Sequence, residues 1–578
     1  MENLKNELIN ASRIGNFLQV VYEKSFGESG NRRAIEEELI SLHNDGLIDA
    51  IGCFSLLEKK TNVGYRFFQT RRIFEKILPY LNAPVKSVME CVIRLVREAG
   101  RDMAAGSTIE PFIDFCSTES SRPKESLSLI EAATEQLFDL LSPTIVSGTR
   151  IDIRHYLDEA IRLTSHENIE VRRRAIFSLG RIQYSQDIKL CDSAIACLEL
   201  AVTKENDDHL LGNLINSAFN LFRLDNSYEL RIIGLINDAL SQGGDCSLHA
   251  ASEILGYSEL PDALLDSLLN YLRLVKPQNK GTLDNIDYGL SKLINRDDPT
   301  KGIEFLEAIL TDNSDEISID IFVNVIEEIH ENENVLNKLM TRWFLRGDRI
   351  LCDVIWAVVK KSHDHNMLLK IDPSELIFKD QLHIVFIARK SIGYLFFKPV
   401  TAASVIISLM HNTNEDETLN QLGELLINPL LLNFPGKVKD FLVQKSKKEL
   451  GKTKETIETA LETIDEYLNN LRSIGVIPEL HPTQTQIDAY RRHSSQLMSE
   501  SLRKAEKKSV LLPLVSKSAL LYGRKSIDYV YDSNGKSNRI ETPLHSHVIE
   551  MEVPQLINID NFGLDYMIKI FKAEYIKA

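Results

Sequence analysis

Apolar residues recur at helical spacing through most of the 578-residue chain. The pattern is cleanest between Ile151 and Ile182. The stretch IDIRHYLDEAIRLT brings Ile153, Tyr156, Leu157, Ala160, Ile161 and Leu163 near one helical face. SHEN then interrupts it, and Asn168 is placed to cap a second helix. That helix, IEVRRRAIFSLGRI, carries Val171, Ala175, Ile176, Leu179 and Ile182 on one side, and Gly180 is small enough for a close helix contact. Two short amphipathic helices joined by a polar turn are therefore predicted.

The pattern returns along the chain. With Leu179 as landmark, NLINSAFNLFRL offers Phe222, 43 residues on. HAASEILGYS offers Leu255 after a further 33, with Ala251 and Gly256 restoring the Ala…Leu-Gly spacing, and IDYGLSKLIN offers Leu293 after 38 more. Upstream, Leu95 in YLNAPVKSVMECVIRLVREAG lies 84 residues before Leu179, about two periods. IDIFVNVIEEIH and RILCDVIWAVVKK have the same character. Val171-Arg172, Ala175 and Leu179-Gly180 resemble the second helix of a HEAT repeat, and the spacings fit HEAT or armadillo units. The aspartate that such repeats often carry before Val-Arg is absent; His166 stands about there. The resemblance implies a mainly α fold, a HEAT-like α-solenoid of stacked helix pairs. One such pair cannot bury its own apolar face, so at least three must stack.

Two segments depart from this pattern. After a first segment, 1–445, residues 446–483 open on the charged run KSKKELGKTKET and continue into a helix with Ile457, Leu461, Ile464, Leu468 and Leu471 in heptad register. That seam suits packing against the preceding helices, or a dimer through 457–471. Residues 484–578 read as a small C-terminal α+β module. It starts with a polar helix and continues with an alternating strand at Ser526–Tyr531 and an Asn-Gly turn at Asp532–Gly535. A further strand is expected at Ser546–Val553 and a closing helix near 562–575.

Composition sharpens the picture. Only 17 prolines and 27 glycines punctuate the chain, which suits helices with short turns. The net charge is −16, so most of the surface repels nucleic acid and anionic membrane. Residues 481–578 alone are net positive, with 14 Lys+Arg against 11 Asp+Glu. Seven widely spaced cysteines without a Cys-x-x-Cys read as small core hydrophobes. The opening MENLKNELIN is too polar for a signal peptide, and no apolar run reaches about 18 residues. A cytoplasmic setting is expected.

Motifs of catalysis are sparse. Tyr522-Gly-Arg-Lys-Ser526 ends like a phosphate-binding loop, but Ser518 stands where its first glycine belongs. His545/His547 and His363/His365 are two-residue sets that lack a third metal ligand, and they read as surface or packing histidines. No metal or cofactor is expected. The best candidate binding surface is cationic: Arg492, Arg503, Lys504, Lys507 and Lys508, with Arg524 and Lys525 nearby in sequence. Ile487, Tyr490, Leu497, Met498 and Ala505 occupy the opposite side of that helix. The stripe suits a solvated face, with Glu500 reaching Arg503 and Lys504, or an acidic protein; nucleic acid is possible but not favoured.

The expected function is thus a non-catalytic scaffold or adaptor that binds a protein partner through a solenoid surface. Two alternatives stand beside it: a nucleic-acid-associated subunit of a larger complex that uses the basic C-terminal module, and an enzyme activity in that module.

Overall fold

The computed structural model describes residues 2–26, 31–60, 65–100, 102, 104–184, 189–313, 316–362, 367–376, 380–475, 477, 482–508, 525–531, 537–543 and 552–576. These residues are mainly helical; among them the strands are β1 (Lys525–Tyr531) and β2 (Ser537–Pro543). The chain divides into two compact units, Met1–Ile329 and His330–Ala578. The boundary falls inside the 1–445 segment.

The predicted pair forms as helices Ile153–Leu163 and Ile169–Leu179. Asn168 caps the second, its side chain accepting from Glu170 N at 2.8 Å. Tyr156, Leu157, Ala160 and Leu163 are buried from the first helix, and Val171, Ala175, Ile176 and Leu179 from the second, with Ile182 just beyond it. Ile153 and Ile161 are half-buried. Each fully buried branched side chain contributes about 1.5–3 kcal/mol.

The following helices in this unit fall into two rows. Ile153–Leu163, Leu190–Lys204, Glu229–Gln242 and Asp262–Leu272 each touch the next in that order. Ile169–Leu179, Asp208–Leu224, Asp245–Leu255 and Lys280–Ile294 form the second row in the same way. Small residues set the second row's spacing. A Cβ on Gly180 would collide with the Ser217 backbone, and one on Gly289 would meet Leu255. Ser217 Oγ uses the proximity to donate to Ile176 O at 2.9 Å. Helix axes approach this closely only where side chains are short.

Polar links between neighbours recur at a stride of 33–40 residues. Asn213 reaches the carbonyl of Arg173, 40 residues back, Asn285 reaches Ser252 over 33, and Lys292 reaches Gly256 O over 36. Carboxylates cap helices in the same way. Asp207 caps its own helix through Leu210 N and pairs with Arg173 through both oxygens, at 2.8 and 2.7 Å. Asp208 accepts from Gly244, Cys246 and Ser247 N at 2.6–3.0 Å, closing the start of the next second-row helix. Buried Asp287 does the same for Asn324 and Val325 N, both at 2.9 Å. With no aspartate at position 166, these residues carry the connections between neighbours. Gly243 and Gly244 separate Glu229–Gln242 from Asp245–Leu255.

Phe222 does not hold the landmark position expected of it. It is half-buried, and Leu221 takes the core place. A helix presents a broad apolar arc, and spacing alone does not fix which of two adjacent residues faces inward.

The second unit follows a similar grammar. Glu333–Arg346, Gln381–Leu395, Asp416–Leu425 and Gly451–Ser473 touch in order, and Pro399–Met410 touches Lys437–Ser446. Gly347 ends the first of these helices in the left-handed conformation, with φ 69°. The stride persists: Lys370 N donates to Asn337 Oδ1 over 33 residues and Ile371 N to Ser408 Oγ over 37. The heptad helix packs on Asp416–Leu425 and Lys437–Ser446 through buried Ile457, Ala460 and Ile464; Leu461 and Leu468 are half-buried and Leu471 is exposed.

β1 coincides with the predicted strand. Its antiparallel partner β2, pairing Ile527 with Glu541 and Tyr529 with Arg539, was not expected from the alternation. SNRIETP has little apolar alternation, so it gives weak strand signal. The Asn-Gly turn and residues 546–551 of the expected second strand lie outside the described residues; Glu552 and Val553 are not in a strand. The closing helix is Asn561–Ala573.

Candidate functional site

The cationic stripe sits on the Gln484–Lys508 helix. Every residue from Ala489 to Lys507 is exposed, so Arg492, Arg503, Lys504 and Lys507 all face solvent. So do Tyr490, Leu497 and Met498 on the opposite side. Arg492 and Arg503 are eleven positions apart, about 16 Å along the axis at 1.5 Å per residue. No ion pair joins Glu500 to Arg503 or Lys504 among the described residues. Lys508 ends the helix and Lys525 begins β1; Arg524 lies outside the described residues, as do His363, His365, His545 and His547. The fold thus gathers five of the seven cations on one helix, and Arg524 and Lys525 lie elsewhere in the sequence.

A second candidate emerges from the first unit. Four successive second-row helices line a cleft of about 720 Å³. Phe177 comes from the first, Asn216, Phe219 and Asn220 from the second, Ser252 and Glu253 from the third, and Asn285, Tyr288 and Lys292 from the fourth; Tyr257 stands at its edge. Phe219 and Tyr257 meet edge to face at 4.8 Å. The Lys292 ammonium lies 4.2 Å from the centre of the Tyr288 ring and donates to Gly256 O at 2.8 Å. Asn216 donates to Glu253 at 3.3 Å and Asn285 to Ser252 at 3.1 Å, which ties each amide to the neighbouring helix. Their carbonyl oxygens remain available as acceptors, and Asn220 adds another amide. The lining thus combines aromatic rings, side-chain amides and one charge of each sign, Glu253 and Lys292.

A neighbouring cleft of about 740 Å³ shares Asn216 and Glu253 and adds His209, Cys246 and His249. Cys246 Sγ lies 3.4 Å from His209 Nδ1. That pairing alone would suit a nucleophile. The surroundings work against it: burial and then the Asp208 carboxylate push the thiol pKa up. The deeply buried thiols go further, Cys91, Cys116 and Cys352 each being pushed to about 12 chiefly by burial. All seven cysteines are free. No group of three or more His, Cys, Asp or Glu is placed to hold a metal ion among the described residues. No helix among them is long and apolar enough to cross a membrane.

The amide-and-aromatic cleft escaped the sequence reading. Its signal was present in NLINSAFN, where Asn213, Asn216 and Asn220 step by three and four. An asparagine face on a helix is ordinarily a solvated one, and only the neighbouring helices turn it into a wall.

No protein-family model matches the chain, and no curated protein matches it.

Proposed function

We propose that this protein is a non-catalytic scaffold, a HEAT-like α-solenoid that holds a segment of a protein partner in the cleft between Phe177 and Lys292. The observation that carries this reading is the lining: four successive helices bring aromatic rings and side-chain amides to one cleft. Aromatic rings give contact area at low entropic cost, and amides pair with the main chain of an extended segment. The 33–41-residue stride of the inter-helix bonds supports a stacked-repeat architecture. The small α+β module at 484–578 belongs to this reading as an appendage, and the setting is the cytoplasm.

The test is co-purification from the native source with a photo-crosslinking residue at Tyr257 or Tyr288, beside Asn216→Ala/Tyr257→Ala. The expected result is one dominant partner crosslinked at both positions, its recovery lowered at least tenfold by the double variant. Equal recovery by the double variant would sink the assignment.

A second reading rests on the wholly exposed, net-positive stripe of Arg492, Arg503 and Lys507, which suits an acidic surface. It concerns a different partner contact, and charge reversal there separates the two.

A further inference from the structure

After the Gly451–Ser473 helix the chain passes through the exposed Gln484–Lys508 helix and the β-hairpin. Residues 552–576 then return to the helices between 381 and 446 of the same unit. Both ends of the returning segment are held by complementary helix termini. At its start, Glu552 accepts from Gly436 N at 2.7 Å and Lys437 N at 2.9 Å, filling the N-terminus of Lys437–Ser446. Unpaired N–H groups and the helix dipole make that end a carboxylate site. Asn433, fully buried, accepts from Leu556 N through its side chain at 3.1 Å and from Gln555 N through its carbonyl at 3.2 Å.

At the other end the Asn561–Ala573 helix runs onto Gln381–Leu395, and Gly393 lets the two backbones meet: a Cβ there would stand 3.1 Å from Lys572 N. Lys390, fully buried, donates to Lys572 O at 2.6 Å, so an ammonium caps the carbonyl end of the arriving helix. Arg389 pairs with Glu574 at 2.9 Å. Burial holds the Lys390 pKa below its ordinary value.

The apolar side of this docking is modest: Leu564 is the one buried side chain of the Asn561–Ala573 helix, Met567, Ile568 and Phe571 are half-buried beside it, and Phe562, Tyr566 and Ile570 are 89, 69 and 43 % exposed. The helix beneath it, Gln381–Leu395, buries eleven residues. A segment held by its backbone and its terminal charges, with one fully buried side chain in its helix, belongs to the more easily opened end of a structure.

We propose that the face formed by Gln381–Leu395, Asn433 and the Gly436 helix end is a docking site for a helical peptide with an acidic residue upstream, and that residues 552–576 are its reversible, tethered occupant. Seventy-eight residues, 474–551, connect that occupant to the preceding helix. A tether of this kind supplies an effective concentration of about 1 mM. With a Kd in trans of about 10 µM, the tethered segment weakens an added competitor about 100-fold.

The experiment uses the full chain with a protease recognition sequence inserted between Lys508 and Lys525. A fluorescent synthetic peptide of residues 552–578 is titrated before and after cleavage, and the helical melt is followed by circular dichroism. The expected result is weak binding to the intact chain and binding at least 50-fold tighter after cleavage and dilution, with an unchanged melt. Glu552→Gln in the peptide and Lys390→Met in the chain each weaken the tighter binding about tenfold or more. Three results would overturn the proposal: equal affinity before and after cleavage, a cleaved segment that never exchanges, or a melt that collapses when the segment leaves. The last two would make residues 552–576 an integral part of the core.

Discussion

Gly180 is the residue on which the spacing of the second-row helices turns. Its α-carbon faces the Ser217 backbone with no room for a side chain. Gly180→Leu must therefore separate the Ile169–Leu179 and Asp208–Leu224 helices, at a cost of about 1–3 kcal/mol or more. Leu179, fully buried next to it, tests the adjoining core. Leu179→Asp places an unpaired charge there and is expected to cost about 4 kcal/mol or more. Chemical denaturation followed by circular dichroism checks both, and wild-type midpoints would mean that the helix contacts around 169–182 are misassigned. The roles of these two residues were legible in the sequence, because a glycine next to a periodic leucine admits few readings. Phe222 was not, because the choice between it and Leu221 depends on the neighbouring helix.

At the scale of the element, the carboxylates that start the helices carry a pH dependence. Burial opposes the charge on Asp208, yet the N–H groups of Cys246 and Gly244 and the Ser247 hydroxyl hold its pKa below the ordinary value. Asp207 is lowered chiefly by its hydrogen bonds to Arg173. A carboxylate with a depressed folded pKa contributes its stability above the unfolded value, about 3.9, and that contribution is lost as pH falls through the folded value. The first unit is therefore expected to lose stability as pH falls below about 4 and through the depressed folded values of these two carboxylates. Asp208→Asn removes part of this slope and costs about 1–3 kcal/mol near neutrality, since three N–H groups lose a charged acceptor. Parallel stability curves for wild type and variant from pH 7 to 3 would contradict this. These bonds could not be read from the chain: Asp207 and Asp208 look like a plain capping pair, and Gly244 and Cys246 lie 36 and 38 residues from Asp208. The heptad helix makes the converse point. Its seam was visible, and its first half packs within the chain. Ile464→Asp should accordingly lower the melting temperature by several degrees through that intramolecular contact. A variant with an unaltered melt would place Ile464 outside the core.

Over the whole molecule the charge distribution decides which partner the cationic helix can take. The chain carries −16, while residues 481–578 hold a small positive excess. At about 0.15 M salt the Debye length is about 8 Å, so an exposed helix some 37 Å long, at 1.5 Å per residue, engages ligands locally. Three to six phosphate contacts give modest affinity that salt erodes steeply, and a nucleic acid extending beyond the helix meets an acidic protein. A folded acidic surface can be short enough to match Arg492, Arg503 and Lys507 alone, and arginine rewards such a match with paired hydrogen bonds to carboxylate. Binding of duplex and single-stranded oligonucleotides at this salt is therefore expected to be weaker than about 10 µM, and Arg492→Glu/Arg503→Glu/Lys507→Glu should leave it unchanged. The same variant should release a protein that co-purifies with the wild type while sparing one crosslinked at Tyr257. Submicromolar oligonucleotide binding abolished by the triple variant would instead assign the helix to nucleic acid, and the protein partner would then be sought at the cleft between Phe177 and Lys292.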